Sequence, residues 1–330
     1  MGNIKSFKNC KILVTGAAGF IGTNLIKKLL NEGAEVTATV YKRRPQEIFD
    51  GVKYFDVDLT KNEDCSAICK GQEYVFMCAA NSSGAEVMAN EPLAHLTPNV
   101  VMNAQMLAAA HREKIKKFIF ISSNTVYPPS NNPVKENDVN FNFYKAYHIV
   151  AWMKIFTEQM CEIYSNRIKA PMETLVVRPA NLYGPYDKYN RSESKVIAAL
   201  IRRFAEGDNP LEVWGDGNDI KDFLFIDDFI EALVKITKCS QNVGPVNISA
   251  GNSVTIKDVL DSLKKVSGKQ NTVINFDSSK PIMIPVRLIS NSYIRELTDW
   301  EPRFSLTEGL KITYEWYVKF YSDKNPDSKL

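Results

Sequence analysis

Three glycines near the start of the chain have a spacing suited to binding a phosphate. Gly16, Gly19 and Gly22 lie three residues apart in TGAAGFIG, between the apolar run KILVT and the helical pattern FIGTNLIKKLL. In a strand–turn–helix unit the first glycine permits a tight turn, the second lets backbone N–H groups approach a pyrophosphate, and the third lets the helix pack closely on the strand. The pattern therefore predicts a dinucleotide site.

Which dinucleotide binds depends on the end of the second predicted strand. Sites that bind NAD commonly have an acidic residue there, which binds the ribose 2′-hydroxyl. This chain reads TATVYKRRP, with Lys42, Arg43 and Arg44 in that place. A cluster of cations suits a 2′-phosphate, so the sequence favours NADP. NAD stays open as the alternative, with the basic turn then exposed to solvent.

The elements that must position these groups alternate between strand and helix. Near-continuous apolar runs, typical of parallel strands covered by helices on both faces, predict the strands. They lie at Lys11–Thr15, 35–41, 74–79, 118–122 and 174–178, and long helical patterns lie at Pro92–Arg112 and 141–167. The sequence predicts an α/β fold: a Rossmann doubly wound parallel sheet with a smaller C-terminal α/β substrate domain.

A change in composition and element length sets the expected domain boundaries. After Pro179, loops rich in Gly, Pro, Asn and Asp become frequent and the elements shorten. We expect a Rossmann domain over residues 1–180 with returning segments near 225–250, a substrate domain over 181–320, and a flexible tail over 321–330.

The composition argues against several classes of partner. The 330 residues carry a formal net charge of +3, too small to indicate nucleic acid or a membrane surface as the partner. No signal-peptide pattern is found, and no apolar run approaches the roughly 18 residues of a membrane span, so we expect a cytoplasmic protein. The six cysteines form no CxxC pair, and no metal site is predicted.

Several longer motifs resemble one enzyme family. The GxxGxxG spacing, RPANLYGP at 178–185 and DGNDIKDFLFIDD at 216–228 resemble the extended short-chain dehydrogenases/reductases, within them the NAD-dependent epimerase/dehydratase family of nucleotide-sugar enzymes. The resemblance covers nearly the whole chain and implies an NAD(P)-dependent enzyme. The cofactor contacts that these patterns imply are Gly16, Gly19, Phe20, Ile21, Gly22, Tyr41, Arg43, Arg44, Asp58, Leu59, Cys78, Ala79, Ala80, Asn99, Lys154 and Pro179.

In this family a serine or threonine, a tyrosine and a lysine act together on the substrate oxygen. The resemblance places the hydroxyl at Ser123, with Thr125 lining the same pocket, and the lysine at Lys154. Val150 stands where the tyrosine belongs, four residues before the lysine. Tyr147, two helical turns before Lys154, keeps the same helix face, and a local bulge could bring it closer. It is predicted either to transfer the proton or to pack at the start of the helix.

Within the family the motifs are most similar to the GDP-fucose synthases. Those enzymes use a cysteine and a histidine for epimerisation, where this chain has Thr125 and Lys195, and the dehydratases have acidic residues in place of Asn124 and Thr125. The expected reaction is therefore hydride transfer at sugar C4, by an epimerase or a one-way 4-keto-sugar reductase, with a GDP-sugar favoured. The implied substrate contacts are Ser83, Asn181, Lys195, Arg202, Lys221 and Arg287.

The resemblance also implies a quaternary structure. Its dimeric members pair two helices per protomer in a four-helix bundle, and Pro92–Arg112 and 141–167 match those helices. A rival interpretation from another class is a catalytically silent dinucleotide-binding sensor, which Val150 favours. Ser123, Lys154 and Arg287 favour the enzyme, because a sensor needs none of them.

Overall fold

A seven-stranded parallel sheet organises the structure. The computed structural model describes residues 6–81, 92–191, 193–239, 242–280 and 283–321. In chain order the strands are β1 (Lys11–Thr15), β2 (Glu35–Val40), β3 (Lys53–Asp56), β4 (Tyr74–Met77), β5 (Lys117–Ile121), β6 (Glu173–Pro179), β7 (Asn181–Tyr183), β8 (Leu211–Trp214), β9 (Ile220–Lys221), β10 (Phe223–Phe225), β11 (Pro245–Ile248), β12 (Val254–Thr255), β13 (Ile274–Asp277) and β14 (Val286–Arg287). The sheet has the order β3-β2-β1-β4-β5-β6-β11.

The strand order reverses between β1 and β4, as in a doubly wound sheet. Strands β2 and β3 extend to one side of β1, and β4, β5 and β6 extend to the other. Every residue of β4 and β5 is buried, as their near-continuous apolar runs predict. In such sheets ligands bind in the crevice beyond the carboxyl ends of the strands at the reversal point, so the site is expected beyond β1, β4 and β5.

Helices cover both faces of this sheet. They are α1 (Phe20–Asn31), α2 (Asn62–Cys69), α3 (Pro92–Arg112), α4 (His148–Asn166), α5 (Val196–Glu206), α6 (Ile226–Lys238), α7 (Ile256–Ser267), α8 (Ser292–Leu297) and α9 (Leu306–Trp316). On one face α3 packs between α2 and α4, and on the other α1 packs against α6. The predicted Rossmann fold is confirmed. No helix of the described residues is both long and apolar enough to cross a bilayer.

The second half of the chain adds small sheets beside the carboxyl edge of the main sheet. Strand β9 lies between β12 and β14, β7 pairs with β10, and β8 pairs with β13. Helix α7 packs against α5 and α9, and the apolar residues of this layer join the hydrophobic core on one face of the main sheet in one continuous cluster. The β9–β14 pair sets Lys221 directly opposite Arg287, so two of the predicted substrate cations share one short ribbon.

The start of one predicted helix differs from the expectation, and some predicted residues lie outside the described part of the chain. The helix predicted over 141–167 begins only at His148, because Phe141 has a left-handed φ of 63° and a single 3₁₀ turn, Lys145–Tyr147, precedes α4. A left-handed residue cannot continue an α-helix. Ser83 and residues 322–330 of the expected tail lie outside the described residues.

Candidate active site

The glycine turn has the close contacts that its spacing predicts. Gly16 has a φ of +69°, and a Cβ on it would lie 2.7 Å from the Cα of Ala79 at the end of β4. A Cβ on Gly22 would overlap the carbonyl oxygen of Gly16. Only glycine fits either position, because the turn lies directly against its neighbours.

Side-chain hydroxyls fix this turn to the adjacent strands. The Thr15 Oγ1 accepts the backbone N–H groups of Cys78 and Ala79, both at 3.1 Å. The Gly16 N–H donates to Thr39 Oγ1 at 3.2 Å. The ends of β1, β2 and β4 are thereby held together beneath the start of α1.

The N-terminus of α1 is left available to an anion. Within the described residues no side chain caps this helix at Gly19, and its first turn, which contains Phe20 and Ile21, holds no acidic residue. The first N–H groups of a helix have no partner within it and, with the helix dipole, favour phosphate. The turn and the helix start therefore fit a dinucleotide pyrophosphate.

The segment after β3 borders the predicted adenosine side. Tyr41 Oη donates to Asp58 Oδ2 at 3.3 Å, and the N–H and hydroxyl of Thr60 donate to Asp58 Oδ1 at 3.0 and 2.7 Å. The hydrogen bonds from Thr60 lower the pKa of Asp58 below its usual value. Leu59 is buried. Asp58 is thus an ordered carboxylate beside the end of β2.

The cations after β2 have different surroundings. Arg43 Nη2 lies 3.3 Å from Glu193 Oε2, so this predicted phosphate contact is paired with a carboxylate from another segment. Lys42 lies over the Tyr41 ring at 4.9 Å. All three cations are exposed, and Arg44 is free of an ion pair with any other described residue.

At the end of β4 an asparagine holds the following loop. Asn99, buried on α3, accepts the Asn81 N–H at 2.8 Å and donates to the Asn81 carbonyl at 2.9 Å. Both functions of the amide are therefore engaged by backbone. The predicted cofactor contacts Ala79 and Ala80 directly precede Asn81, so Asn99 fixes the backbone immediately after them.

Two hydroxyls meet just beyond the end of β5. Ser123 caps a 3₁₀ turn, accepting the Thr125 N–H at 3.2 Å, and the Thr125 hydroxyl donates to Ser123 Oγ at 3.0 Å. The next residue of this turn, Asn124, donates to the Pro179 carbonyl at the end of β6 at 3.0 Å. The predicted hydroxyl pair is therefore held rigidly at the carboxyl edge of the sheet.

The Lys154 amine reaches the same edge from α4. Its Nζ donates to the Ile121 carbonyl at 2.8 Å and lies 4.8 Å from the centre of the Phe120 ring. Burial lowers the pKa of Lys154 to about 8, with smaller opposing effects from Glu158 and Cys78. A protonated amine has three N–H donors, so two remain available in the charged form.

A buried network that motif reasoning did not find holds this edge in place. The Arg178 Nε donates to Glu158 Oε1 at 3.0 Å and its Nη1 donates to Tyr127 Oη at 3.0 Å, while Ser122 also donates to Glu158. The Tyr127 hydroxyl donates to Asn247 Oδ1 at 2.6 Å on β11. Glu158 is thus engaged by arginine, and no carboxylate of the described residues forms an ion pair with Lys154.

Tyr147 lies elsewhere in the crevice. It ends the 3₁₀ turn before α4, and the charges that act on it are those of Arg287, Tyr144 and Asp219. Burial raises its pKa to about 12. The charges acting on Lys154 come from other residues. The charges that act on Tyr147 therefore include that of the predicted substrate cation Arg287, whereas the Lys154 amine bonds Ile121, two residues before Ser123.

Arg287 is a buried cation with neutral partners. Its Nη1 donates to the Pro128 carbonyl at 3.0 Å and its Nη2 to the Tyr127 carbonyl at 3.2 Å, while its buried Nε has no hydrogen-bond partner among the described residues. Burial lowers its pKa to about 10. Lys221, opposite it on β9, lies 3.4 Å from Asp219. Arg287 is the predicted substrate cation whose charge is least compensated.

The other predicted substrate contacts lie on β7 and α5. Asn181 Nδ2 donates to the Asp222 carbonyl at 3.0 Å. Lys195 is exposed immediately before α5, and Arg202 Nη1 forms an ion pair with Glu206 at 3.0 Å. Asn181 therefore lies at the β9–β10 junction near Lys221, whereas Arg202 is already paired.

Comparison with known proteins gives the family. Residues 12–249 match the family model described as the NAD dependent epimerase/dehydratase family. The chain belongs to this family. A probable GDP-L-fucose synthase 1 of Oryza sativa subsp. japonica is 31% identical over 323 residues, covering 94% of this chain and 93% of that protein.

Solved structures of the family superpose closely. A UDP-glucose 4-epimerase of Thermotoga maritima, solved with UDP-glucose, has a TM-score of 0.84 at 26% identity and covers 93% of this chain and 98% of that one. A UDP-glucuronic acid 4-epimerase of Bacillus cereus, solved with UDP-glucuronic acid and NAD, has a TM-score of 0.82 at 27% identity and covers 94% and 100%.

Family membership confirms the predicted class of protein. The chain is an NAD(P)-dependent enzyme of the nucleotide-sugar epimerase/dehydratase type. Its departure from the family pattern is Val150, one helical turn before Lys154 on the same face of α4. A valine side chain cannot transfer a proton, so another group must do so in any reaction at this site.

Proposed function

We propose that this enzyme transfers a hydride reversibly at C4 of a nucleotide-diphosphate sugar, with a GDP-sugar as substrate. The observation that carries the proposal is the Lys154 amine at the carboxyl edge of β5, where its Nζ is 2.8 Å from the Ile121 carbonyl, two residues before Ser123 of the Ser123–Thr125 hydroxyl pair. The glycine turn lies at the same edge of the sheet. A one-way 4-keto-sugar reductase would use the same groups.

The turn from Gly16 to Gly22 is suited to hold the dinucleotide, because a Cβ at either position would meet backbone. When bound, the dinucleotide supplies or accepts the hydride. Arg44 and Lys42 favour NADP, as the sequence predicts. The pairing of Arg43 with Glu193 leaves NAD as the alternative.

We propose that Lys154 is the residue that exchanges the proton with the substrate hydroxyl. Serine and threonine hydroxyls do not titrate near neutral pH, and burial raises the pKa of both Cys78 and Tyr147 to about 12. Burial places the pKa of Lys154 at about 8 instead. In alcohol oxidation the neutral amine accepts the hydroxyl proton, and in the reverse direction the ammonium returns it. Ser123 and Thr125 orient the substrate oxygen.

The alternative that the sequence leaves open is proton transfer by Tyr147. A phenol with a pKa near 12 would show no titration of activity around pH 8. The position of Tyr147 near Arg287 and Asp219 instead supports a contact with the sugar or its phosphate.

We propose Arg287 and Lys221 as the ligands of the substrate diphosphate. Arg287 is buried and donates only to two neutral carbonyls, so an anion would supply the missing countercharge. Asn181 lies beside this ribbon and is proposed to contact the nucleotide. Lys195, Arg202 and Ser83 remain proposed contacts of the sugar or phosphates. The rice relative, a probable GDP-L-fucose synthase, supports guanine as the base.

The reaction is confined to C4 by what the site lacks. Epimerisation at C3 or C5 requires an acid and a base that exchange protons with carbon, and Thr125 and Lys195 occupy the positions expected for them. A threonine hydroxyl is too weak an acid for this role, and Lys195 is exposed to solvent immediately before α5. Hydride transfer at C4 needs neither residue.

A homodimer is proposed through α3 and α4. The exposed face of α4 carries Trp152, Phe156 and Ile163, large apolar side chains along one side of the helix, and α4 packs against α3. Phe156→Asp should convert a dimer to a monomer in light scattering, whereas Val273→Asp, at an exposed valine elsewhere, should not. If light scattering gave the same molecular mass for both variants, this interface would be ruled out.

We further propose that residues 1–180, with a returning segment near 225–250, bind the dinucleotide, and that 181–320 bind the substrate of a cytoplasmic reaction. The test of the function is turnover. GDP- and UDP-sugars, including 4-keto forms, are incubated with NAD, NADP or their reduced forms, and product sugars are separated. Dinucleotide binding without turnover of any sugar would favour the silent sensor.

A further inference from the structure

A carboxylate from a distant segment contacts the basic turn that follows β2. Glu193 lies 150 residues after Arg43 in the sequence, and its Oε2 is 3.3 Å from Arg43 Nη2. In Rossmann folds an arginine near this strand end accommodates a 2′-phosphate on the adenosine ribose. The carboxylate therefore engages one Nη group of the guanidinium that such a phosphate would use.

Glu193 is held more firmly than its partner. Its Oε1 accepts from Lys188 Nζ at 3.0 Å, its Oε2 accepts from Asn190 Nδ2 at 2.8 Å, and its N–H donates to Asn190 Oδ1 at 2.8 Å. The side chain of Glu193 is 24% exposed and that of Arg43 is 48% exposed. Arg43 is thus the member of the pair that is freer to move.

Other contacts keep the two segments together without this ion pair. Gln46 Nε2 donates to the Tyr186 carbonyl at 3.2 Å, and the Tyr186 hydroxyl donates to Glu47. Neutralising Glu193 therefore removes a charge and leaves the segment after β2 against the loop that carries residue 193.

We propose that Glu193 determines the choice between NADP and NAD by competing with a 2′-phosphate for Arg43. A bound 2′-phosphate would have to take the Arg43 guanidinium from Glu193 and would also be repelled by that carboxylate. The 2′-hydroxyl of NAD is uncharged and needs neither change. Glu193 accordingly weakens NADP binding and leaves NAD binding nearly unaltered. This inference goes beyond the proposed reaction, which is the same with either dinucleotide.

The test is a pair of calorimetric titrations, NADP and NAD, on the full chain. Glu193→Gln should tighten NADP roughly three- to tenfold and change NAD less than about twofold, as expected for removing a partly exposed charge pair. The gain should shrink at high salt. Glu162→Gln, which breaks the exposed pair with Arg167 on α4, is the matched control and should alter neither affinity.

A second variant separates competition for Arg43 from a general charge effect. In an Arg43→Ala background, Glu193→Gln should give a clearly smaller gain in NADP affinity, because the contested guanidinium is gone and only the direct repulsion between phosphate and carboxylate is relieved. An equal gain in that background, or an unchanged NADP to NAD ratio in Glu193→Gln itself, would overturn the proposal. Failure of the unaltered chain to bind either dinucleotide would instead overturn the proposed function as well.

Discussion

Replacing Gly22 by alanine tests the glycine turn most sharply. The added Cβ would overlap the carbonyl oxygen of Gly16 and lie 3.2 Å from the Cα of Ala17, so α1 must move away from the turn. Overpacking against backbone costs about 1–3 kcal/mol. In a chain of this length about 2 kcal/mol lowers the melting temperature by about 3 °C. Because the displaced atoms include the N–H groups proposed to bind pyrophosphate, dinucleotide affinity should fall at least about tenfold.

Gly71→Ala is the matched control for this variant. Gly71 has a φ of +74° in the turn after α2, and its Cβ would meet nothing within 4 Å. The left-handed backbone costs an alanine about 1–2 kcal/mol, so stability falls by a similar amount while the pyrophosphate site is untouched. Calorimetric titration with NAD and NADP and thermal melts distinguish the two. Equal dinucleotide affinities in Gly22→Ala and Gly71→Ala would refute the assignment of the turn.

Further predictions concern the proton, the diphosphate and the buried network. The rate of alcohol oxidation should rise with pH through about 8 and then level off, because only the neutral Lys154 amine accepts a proton. Lys154→Met should abolish turnover, with dinucleotide affinity retained within about tenfold. Tyr147→Phe should keep the midpoint of the pH–rate profile near pH 8. Loss of that midpoint only in Tyr147→Phe would favour the Tyr147 phenol as the proton acceptor. Arg287→Met should raise the KM for the nucleotide sugar about 10- to 100-fold with dinucleotide affinity unchanged, and Arg287→Lys should recover part of the loss. Glu158→Gln leaves the buried Arg178 charge unpaired, so it should lower the free energy of unfolding by about 3–5 kcal/mol and the melting temperature by about 4–7 °C. A melting temperature within about 1 °C of the unaltered chain would contradict a stabilising role for this network.

The sheet could be predicted from the sequence because its signals are local. The runs in β4 and β5 are apolar throughout, as strands buried on both faces must be, and the turn from Gly16 to Gly22 marks the first strand–helix junction. The start of α4 could not be predicted in this way. Residues 141–147 have a helical pattern, but Phe141 has a left-handed φ. Such a backbone conformation cannot be read from the periodicity of apolar residues.

The sequence proposes the candidate site as a set of residues, and their arrangement in space could not be read from it. The motif positions gave Ser123 and Lys154, which the structure brings to one edge of the sheet. Sequence spacing could not show that Tyr147 faces Arg287, because this depends on a strand that comes 140 residues later. The pairing of Arg43 with Glu193 was hidden for the same reason, since long-range ion pairs leave no local pattern.

The central claim is that this site moves a hydride to and from a sugar carbon. The most direct measurement uses the reduced dinucleotide carrying deuterium at the transferable position of its nicotinamide, incubated with the full chain and GDP-linked 4-keto sugars. The account predicts deuterium at C4 of the product sugar, and none with Lys154→Met. Tight dinucleotide binding with no deuterium in any sugar would contradict it.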